Sequence, residues 1–140
     1  MPELFFEDLA LDQSAQIART VSAADVEAFA EVSGDDNPLH LDEAYAATTP
    51  FKRRIAHGML AGAYISAVLG SRLPGPGSVY VSQNLRFRRP VGLGDEVTTT
   101  VTVRALDPRR GQVTLATVCS VAGKTVVDGE AVVALPKRGA

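Results

Sequence analysis

The chain has 140 residues and a formal net charge of −2, with 46% hydrophobic and 21% charged residues. This length fits a single domain, residues 1–140, that can bury a core without disulfides or metals. The near-balanced charge excludes general attraction to nucleic acid or to an acidic membrane surface. One cysteine, Cys119, excludes an internal disulfide and suits a reducing compartment. It lies in an alternating Val-rich run, which predicts a core position.

The N-terminal residues MPELFFEDLALD are acidic and lack the basic region of a secretory signal. The most apolar stretch runs from Met59 to Leu69, which is too short to span a bilayer, and it contains Tyr64 and Ser66. We therefore expect a cytoplasmic protein without a membrane segment.

The first predicted helix opens at Ser22, where residues 22–25 form a capping box with Asp25 in place of Glu. Gly34 is its natural stop. Asp42 can cap a short second helix over residues 43–47. The apolar residues at helical spacing in the first helix are Val26, Phe29 and Ala30.

A long helix is predicted to begin near His57 and Gly58 and to run to about Ser71. Its residues are apolar or small on nearly every face, so we expect it to be buried on all sides. The Pro-Gly-Pro-Gly sequence at residues 74–77 ends it.

From Ser78 onward the apolar residues follow a period of two, which is typical of strands. The predicted strands are 78–88, 97–103, 112–121 and 125–135, with turns at 92–95, 108–111 and 122–124. The chain thus divides into a helical first half and a strand-rich second half. Strands in series predict an antiparallel sheet wrapped around the apolar helix, which is an α+β hot-dog architecture. A curled sheet covers only part of such a helix, so we expect a second copy to cover the rest in a homodimer.

The sequence SGDDNPLH, residues 33–40, combines two carboxylates with one of the two histidines. Pro38 is incompatible with a helix interior, so the segment is predicted to be a turn that aims Asp35 and His40 into one cavity. The Asn37 amide can bond to nearby backbone and hold the loop. Such a carboxylate and imidazole can bind a water molecule and take its proton. The alternative is that Asp35 and Asp36 solvate or cap a loop and that His40 is a structural residue.

His57 and Gly58 open the long helix, where the first N–H groups have no intrahelical acceptor. These donors, with the helix dipole, can hold a carbonyl oxygen that gains negative charge, and glycine allows close approach. The alternative is an ordinary helix start.

Several kinds of chemistry are excluded by absent motifs. The sequence has no phosphate loop, no dinucleotide fingerprint and no Gly-x-Ser-x-Gly elbow. The two histidines and Cys119 are widely separated and do not form a zinc motif. We therefore expect neither a metal nor a cofactor.

Residues 34–40 (GDDNPLH) and 55–60 (IAHGML) together resemble the MaoC-like family, and most closely its short (R)-specific enoyl-CoA hydratases. The resemblance extends from the first helix to residues 129–133. It implies a hot-dog fold and reversible syn hydration of a trans-2-enoyl-CoA to the (R)-3-hydroxyacyl-CoA. The expected partner is an acyl-CoA substrate, whose CoA is part of the substrate rather than a cofactor.

The same resemblance implies roles for individual residues. Asp35 is the general base, and His40 holds and orients the water. The Gly58 amide is the oxyanion donor, beside His57. Asn37 shapes the loop, and Ser66 places a hydroxyl near the carboxylate.

Substrate binding needs cations for the CoA phosphates and an apolar path for the acyl chain. Arg86 and Arg88 share one strand face and form a candidate patch, although a solvated strand face is the commoner explanation for such residues. Leu69 and its neighbours on the long helix are expected to limit the acyl length. Arg54 departs from the proline or small residue often found in relatives, and we expect it to alter the loop or to meet a CoA phosphate.

Three alternative functions remain. A (3R)-hydroxyacyl-acyl-carrier-protein dehydratase would use the same chemistry. Hot-dog acyl-CoA thioesterases often carry an acidic residue on the central helix, and residues 58–72 contain none, which disfavours hydrolysis. A non-catalytic acyl-thioester-binding subunit would not need both Asp35 and His40.

Overall fold

The computed structural model describes residues 3–139, so residues 1, 2 and 140 of the predicted domain lie outside the described part. Five strands form one antiparallel sheet in the order β1-β3-β4-β5-β2. The strands are β1 (Ser14–Thr20), β2 (Val79–Phe87), β3 (Glu96–Asp107), β4 (Gln112–Val121) and β5 (Lys124–Ala134). The helices are α1 (Ala23–Ser33), α2 (Pro38–Leu41), α3 (Glu43–Ala47) and α4 (Gly58–Ser71), after a 3-10 turn at Phe6–Asp8.

Helix α4 packs on the inner face of the curled sheet and touches β1, β2, β3 and β4. Ile65 and Val68 of α4 are fully buried. Alternate residues of the central strands face this helix, as a period of two requires: Val97, Thr99, Val101 and Val103 from β3, and Val113, Leu115, Thr117 and Cys119 from β4. The predicted sheet around an apolar helix is confirmed, and Cys119 is a buried core residue.

Two elements differ from the sequence predictions. Strand β1 was not predicted, so the first half of the chain is not purely helical; β1 pairs with β3 at the edge of the sheet. The SGDDNPLH segment is not only a turn, because Pro38 occupies the first position of α2. Proline is tolerated there because its missing N–H would have no intrahelical acceptor.

The expectation that α4 is buried on all sides is wrong for a single chain. Met59 is 57% exposed, and its neighbours along one side of the helix are also exposed. They are Ala63, Ser66, Ala67 and Gly70. The sheet curls around only part of the helix circumference, so this stripe of small and apolar residues remains uncovered.

The start of α1 also differs in one detail. Ser22 Oγ accepts a hydrogen bond from the Asp25 N–H at 3.0 Å, as predicted for the cap. The Asp25 carboxylate does not complete the capping box, because it binds Arg19 and Tyr64 instead. No helix in residues 3–139 is long and apolar enough to cross a membrane.

Candidate active site

The loop and short helix α2 are held by local side chain–backbone bonds. Asn37 is the N-cap of α2, and its Oδ1 accepts from the Leu39 N–H at 3.0 Å. Asp35 Oδ1 accepts from the Asn37 N–H at 3.3 Å. The predicted loop-holding bond of the Asn37 side chain is therefore present.

Three longer-range hydrogen bonds connect this loop to residues 54–57. His40 Nδ1 bonds to the carbonyl oxygen of Ile55 at 2.8 Å, and Arg54 Nε donates to the carbonyl oxygen of His40 at 2.7 Å. His57 Nε2 bonds to the carbonyl oxygen of Asp35 at 2.9 Å. Both predicted motifs thus form one unit, although they are separated in sequence.

These bonds fix the proton on each imidazole. A carbonyl oxygen only accepts, so Nδ1 of His40 and Nε2 of His57 must carry hydrogen. His40 Nε2 then keeps a free lone pair in the neutral ring. The Nδ1 atom of His57 is buried and has no hydrogen-bond partner among residues 3–139.

Asp35, His40 and His57 converge in space. One carboxylate oxygen of Asp35 and one nitrogen of each ring lie within 4.8 Å of one another. Both histidines are buried and their ring centroids are 3.9 Å apart, while Asp35 is exposed. The two histidines are distant in sequence, but they are neighbours in the fold.

Asp36 is not part of this cluster. It is exposed and lies in a shallow groove with Glu27 and Glu31 of α1. Of the two adjacent carboxylates, only Asp35 faces the histidines.

Gly58 is the first residue of α4, so its N–H has no intrahelical acceptor. A Cβ atom at this position would lie 2.8 Å from Cε1 of Phe87, which is closer than van der Waals contact permits. Phe87, at the end of β2, therefore packs directly against the backbone of Gly58. An added side chain here would therefore require the Phe87 ring or the helix start to shift.

A cavity of about 330 Å³ begins at His40, His57 and Gly58 and continues between α4 and the sheet. Its wall is largely apolar, and Arg88 and Arg89 are the cationic residues that line it. The apolar and aromatic residues in the lining include Phe51, Leu60, Ala61, Tyr64, Phe87 and Val97.

Of the remaining predicted site residues, Arg88 lines the cavity, whereas Ser66, Leu69 and Arg86 do not. Ser66 is exposed on the uncovered stripe of α4, and Leu69 is buried in the core, 2% exposed; neither lines the cavity. Arg86 is exposed and forms no ion pair within residues 3–139, whereas Arg88 pairs with Asp128 at 3.2 Å.

Three further residues at the site have contacts that the sequence did not indicate. Arg54 was expected to alter the loop or to meet a CoA phosphate; its Nε donates to the carbonyl oxygen of His40, and its Nη2 is buried without a partner among the described residues. Phe87 lies in the strand predicted over residues 78–88, and Tyr64 lies in the predicted long helix. Phe87 follows the predicted strand pattern, and no local signal separates either residue from an ordinary packing position.

The chain has the hot-dog fold, because one antiparallel sheet curls around a central helix. The carboxylate–imidazole cluster at the start of that helix indicates an enzyme with this fold. Residues 9–129 match the family model described as MaoC like domain, and the chain belongs to this family. An (R)-specific enoyl-CoA hydratase of Rhodospirillum rubrum is 56% identical over 96% of this chain and 94% of the relative. A 3-hydroxybutyryl-CoA dehydratase of Methylorubrum extorquens is 51% identical over 99% of this chain and 90% of the relative. The unliganded R-hydratase PhaJ1 from Pseudomonas aeruginosa superimposes with a TM-score of 0.93 at 48% identity, covering 97% of this chain and 88% of that one.

Proposed function

We propose that this protein is an (R)-specific enoyl-CoA hydratase, a hydro-lyase that adds water reversibly to trans-2-enoyl-CoA. The observation that carries the proposal is the convergence of Asp35 with His40, which lines an apolar cavity together with Gly58. The two curated relatives described above are named for hydration or dehydration of CoA thioesters, which supports the same reaction class here.

The tautomers suggest how the water is held. One water hydrogen bonds to the Asp35 carboxylate, and the other bonds to the free Nε2 lone pair of His40. An oxygen lone pair of the water then faces the β-carbon of the enoyl group. Asp35 takes the first proton as the new C–O bond forms, and His40 orients the water.

The remaining steps complete the addition. The N–H of Gly58 donates to the thioester oxygen and stabilises the enolate charge that develops when water attacks. Protonated Asp35 returns its proton to the α-carbon on the same face, which restores the carboxylate. Hydroxyl and hydrogen therefore add syn, and no proton is gained or lost overall.

Substrate recognition uses the cavity and its arginines. Arg88 and Arg89 line the cavity, and Arg86 extends the positive patch along β2 toward a CoA phosphate. The proposed place of Ser66 is near the carboxylate, and that of Leu69 is beside the acyl path. Both stay predictions, because neither residue lines the cavity of a single chain.

The functional unit we propose is a homodimer. The uncovered stripe of α4 and the exposed residues Val79, Tyr80 and Val81 of the edge strand β2 are apolar surfaces that a second copy would cover. Such a contact would also bring a partner subunit toward the exposed Ser66. A cytoplasmic location agrees with a single free, buried cysteine.

The chemistry we propose requires no metal or cofactor. Asp35 takes and returns the proton, and the Gly58 N–H stabilises the charge on the thioester oxygen, so neither step needs an ion.

A second candidate is dehydration of a (3R)-hydroxyacyl group on acyl-carrier protein. A mitochondrial 3-hydroxyacyl-acyl-carrier-protein dehydratase of Arabidopsis thaliana is 40% identical over 84% of this chain. This similarity supports dehydration on acyl-carrier protein as the second candidate. The same catalytic residues would serve both carriers, so the carrier must be tested directly.

The proposal is tested with crotonyl-CoA and purified protein. We expect the enoyl-thioester absorbance to fall and the product to be (R)-3-hydroxybutyryl-CoA. Asp36→Asn should retain most activity, whereas Asp35→Asn and His40→Ala should each lower kcat by about 100-fold or more. Release of free CoA thiol, an (S) product, or loss of activity in Asp36→Asn alone would contradict the assignment.

A further inference from the structure

Tyr64 forms part of the cavity wall on α4, away from the reacting end. Gly58, Ala61 and Tyr64 are spaced three residues apart along this helix, and all three line the cavity. With a rise of about 1.5 Å per residue, Tyr64 lies roughly 9 Å along the helix from Gly58. An acyl chain whose thioester oxygen binds the Gly58 amide and which follows α4 therefore passes Ala61 and then meets the Tyr64 ring.

The Tyr64 side chain is held from outside the cavity. Its hydroxyl donates to Oδ2 of Asp25 at 3.2 Å. Asp25 in turn receives two hydrogen bonds from Arg19, from Nε at 3.0 Å and from Nη2 at 2.7 Å. The guanidinium carbon of Arg19 lies 5.9 Å from the centre of the Tyr64 ring. The ring thus separates the cavity from an ion pair whose arginine is largely exposed.

The charges in this cluster keep the anchor intact at neutral pH. Burial and the neighbouring Asp25 carboxylate raise the pKa of Tyr64 to about 12, so its hydroxyl stays protonated and donates. The hydrogen bonds from Arg19 hold the pKa of Asp25 below its usual value, so this residue stays an ionised acceptor. Turning the ring away would break the bond to Asp25.

We propose that Tyr64 determines acyl-chain specificity, because its anchored ring closes the cavity and admits short acyl groups in preference to long ones. The proposal rests on the proposed function only in requiring an acyl thioester in this cavity. In this proposal Tyr64 limits the length of the acyl chain at a point nearer to Gly58 than Leu69 is. Leu69 follows Tyr64 by more than one helical turn and lies in the core.

The test measures binding of saturated acyl-CoAs, which cannot be hydrated. Dissociation constants for butyryl-, hexanoyl- and octanoyl-CoA are obtained by calorimetry for the wild type, Tyr64→Ala, Tyr64→Leu and Tyr64→Phe. We expect the wild type to bind octanoyl-CoA at least tenfold more weakly than butyryl-CoA. Tyr64→Ala and Tyr64→Leu should reduce that ratio at least tenfold. Tyr64→Phe, which keeps the ring but loses the bond to Asp25, should reduce the ratio less than Tyr64→Ala does.

Thermal unfolding shows which variants are folded, and Tyr64→Leu provides the test if Tyr64→Ala is not. The proposal is overturned if the wild type binds octanoyl-CoA as tightly as butyryl-CoA, or if it binds neither. It is also overturned if the smaller side chains leave the ratio unchanged, or if Tyr64→Phe changes it as much as Tyr64→Ala. A protein that shows the expected ratios but does not hydrate crotonyl-CoA would refute the proposed function and leave the role of Tyr64 standing.

Discussion

Arg54 links the two halves of the site at the scale of single residues. Its Nε–H donates to the carbonyl oxygen of His40, the same residue whose ring bonds to Ile55. The guanidinium therefore constrains the backbone that carries the imidazole, without lining the cavity itself. We regard Arg54 as a positioning residue for His40.

We expect Arg54→Gln to lower kcat for crotonyl-CoA about tenfold and to change KM less than twofold, because a hydrogen bond from a charged donor is worth about 1.5–3 kcal/mol. Steady-state kinetics separate the two constants. Arg53→Gln is the matched control: Arg53 is exposed, pairs with Asp95 at 3.5 Å, and should leave kcat unchanged. A variant of Arg54 that raised only KM would instead place its guanidinium on the substrate.

That the candidate residues Asp35, His40 and Gly58 belong to one site could be predicted from the sequence, but their hydrogen-bond partners could not. Asp35, His40 and Gly58 stand in a specific motif, and the structure brings them together. The partners of Arg54 and Tyr64 depend on contacts 14 and 39 residues away in sequence. No local pattern encodes such pairs.

At the scale of elements, the start of α4 depends on the end of β2. Phe87 packs against the Gly58 backbone, so the strand helps to define the space around the proposed oxyanion donor. Any side chain at Gly58 must displace the Phe87 ring or shift the helix start.

Gly58→Ala should therefore reduce kcat by at least about tenfold, since displacing the donor amide weakens transition-state stabilisation. The double variant Gly58→Ala/Phe87→Leu should recover part of this loss, because leucine leaves room for the added methyl group. Crotonyl-CoA hydration rates for the two single variants and the double variant provide the comparison. Equal activity of Gly58→Ala and the double variant would mean that the clash with Phe87 is not the cause.

Strand β1 and helix α2 were not predicted from the sequence, and in each case there is a physical reason. Strand β1 is short, lies at an edge, and contains Ala15 and Ile17 among polar residues, so its pattern is weak. Helix α2 has only four residues, too few to show a helical period. The longer strands β3 and β4 and helix α4 carry enough residues for their periods to be recognised.

At the scale of the whole molecule, the uncovered surfaces matter most. The α4 stripe and the edge strand β2 expose four of the large hydrophobic residues that a single chain leaves uncovered: Met59, Val79, Tyr80 and Val81. The sequence predicted that an apolar helix needs more cover than one sheet provides. It could not predict which residues would stay exposed, because that depends on how far the sheet curls.

We expect sedimentation equilibrium to give twice the chain mass of 14.8 kDa for the wild type. Ala67→Glu should give monomers, because it places a charge in the apolar α4 stripe of both subunits. Val32→Glu is the control, since Val32 is 83% exposed on α1, away from the stripe, and should remain dimeric. A wild-type monomer, or a dimeric Ala67→Glu variant, would exclude this surface as the interface.

The central claim is that one water, held between Asp35 and His40, supplies both the hydroxyl and the proton on one face of the double bond. Hydration of crotonyl-CoA in D2O tests this claim directly. The proton NMR coupling between the hydrogens on C2 and C3 reports the relative configuration of the two carbons. We expect a single diastereomer, with deuterium and hydroxyl added syn and the (R) configuration at C3. An anti product, or a mixture of diastereomers formed before exchange, would contradict it.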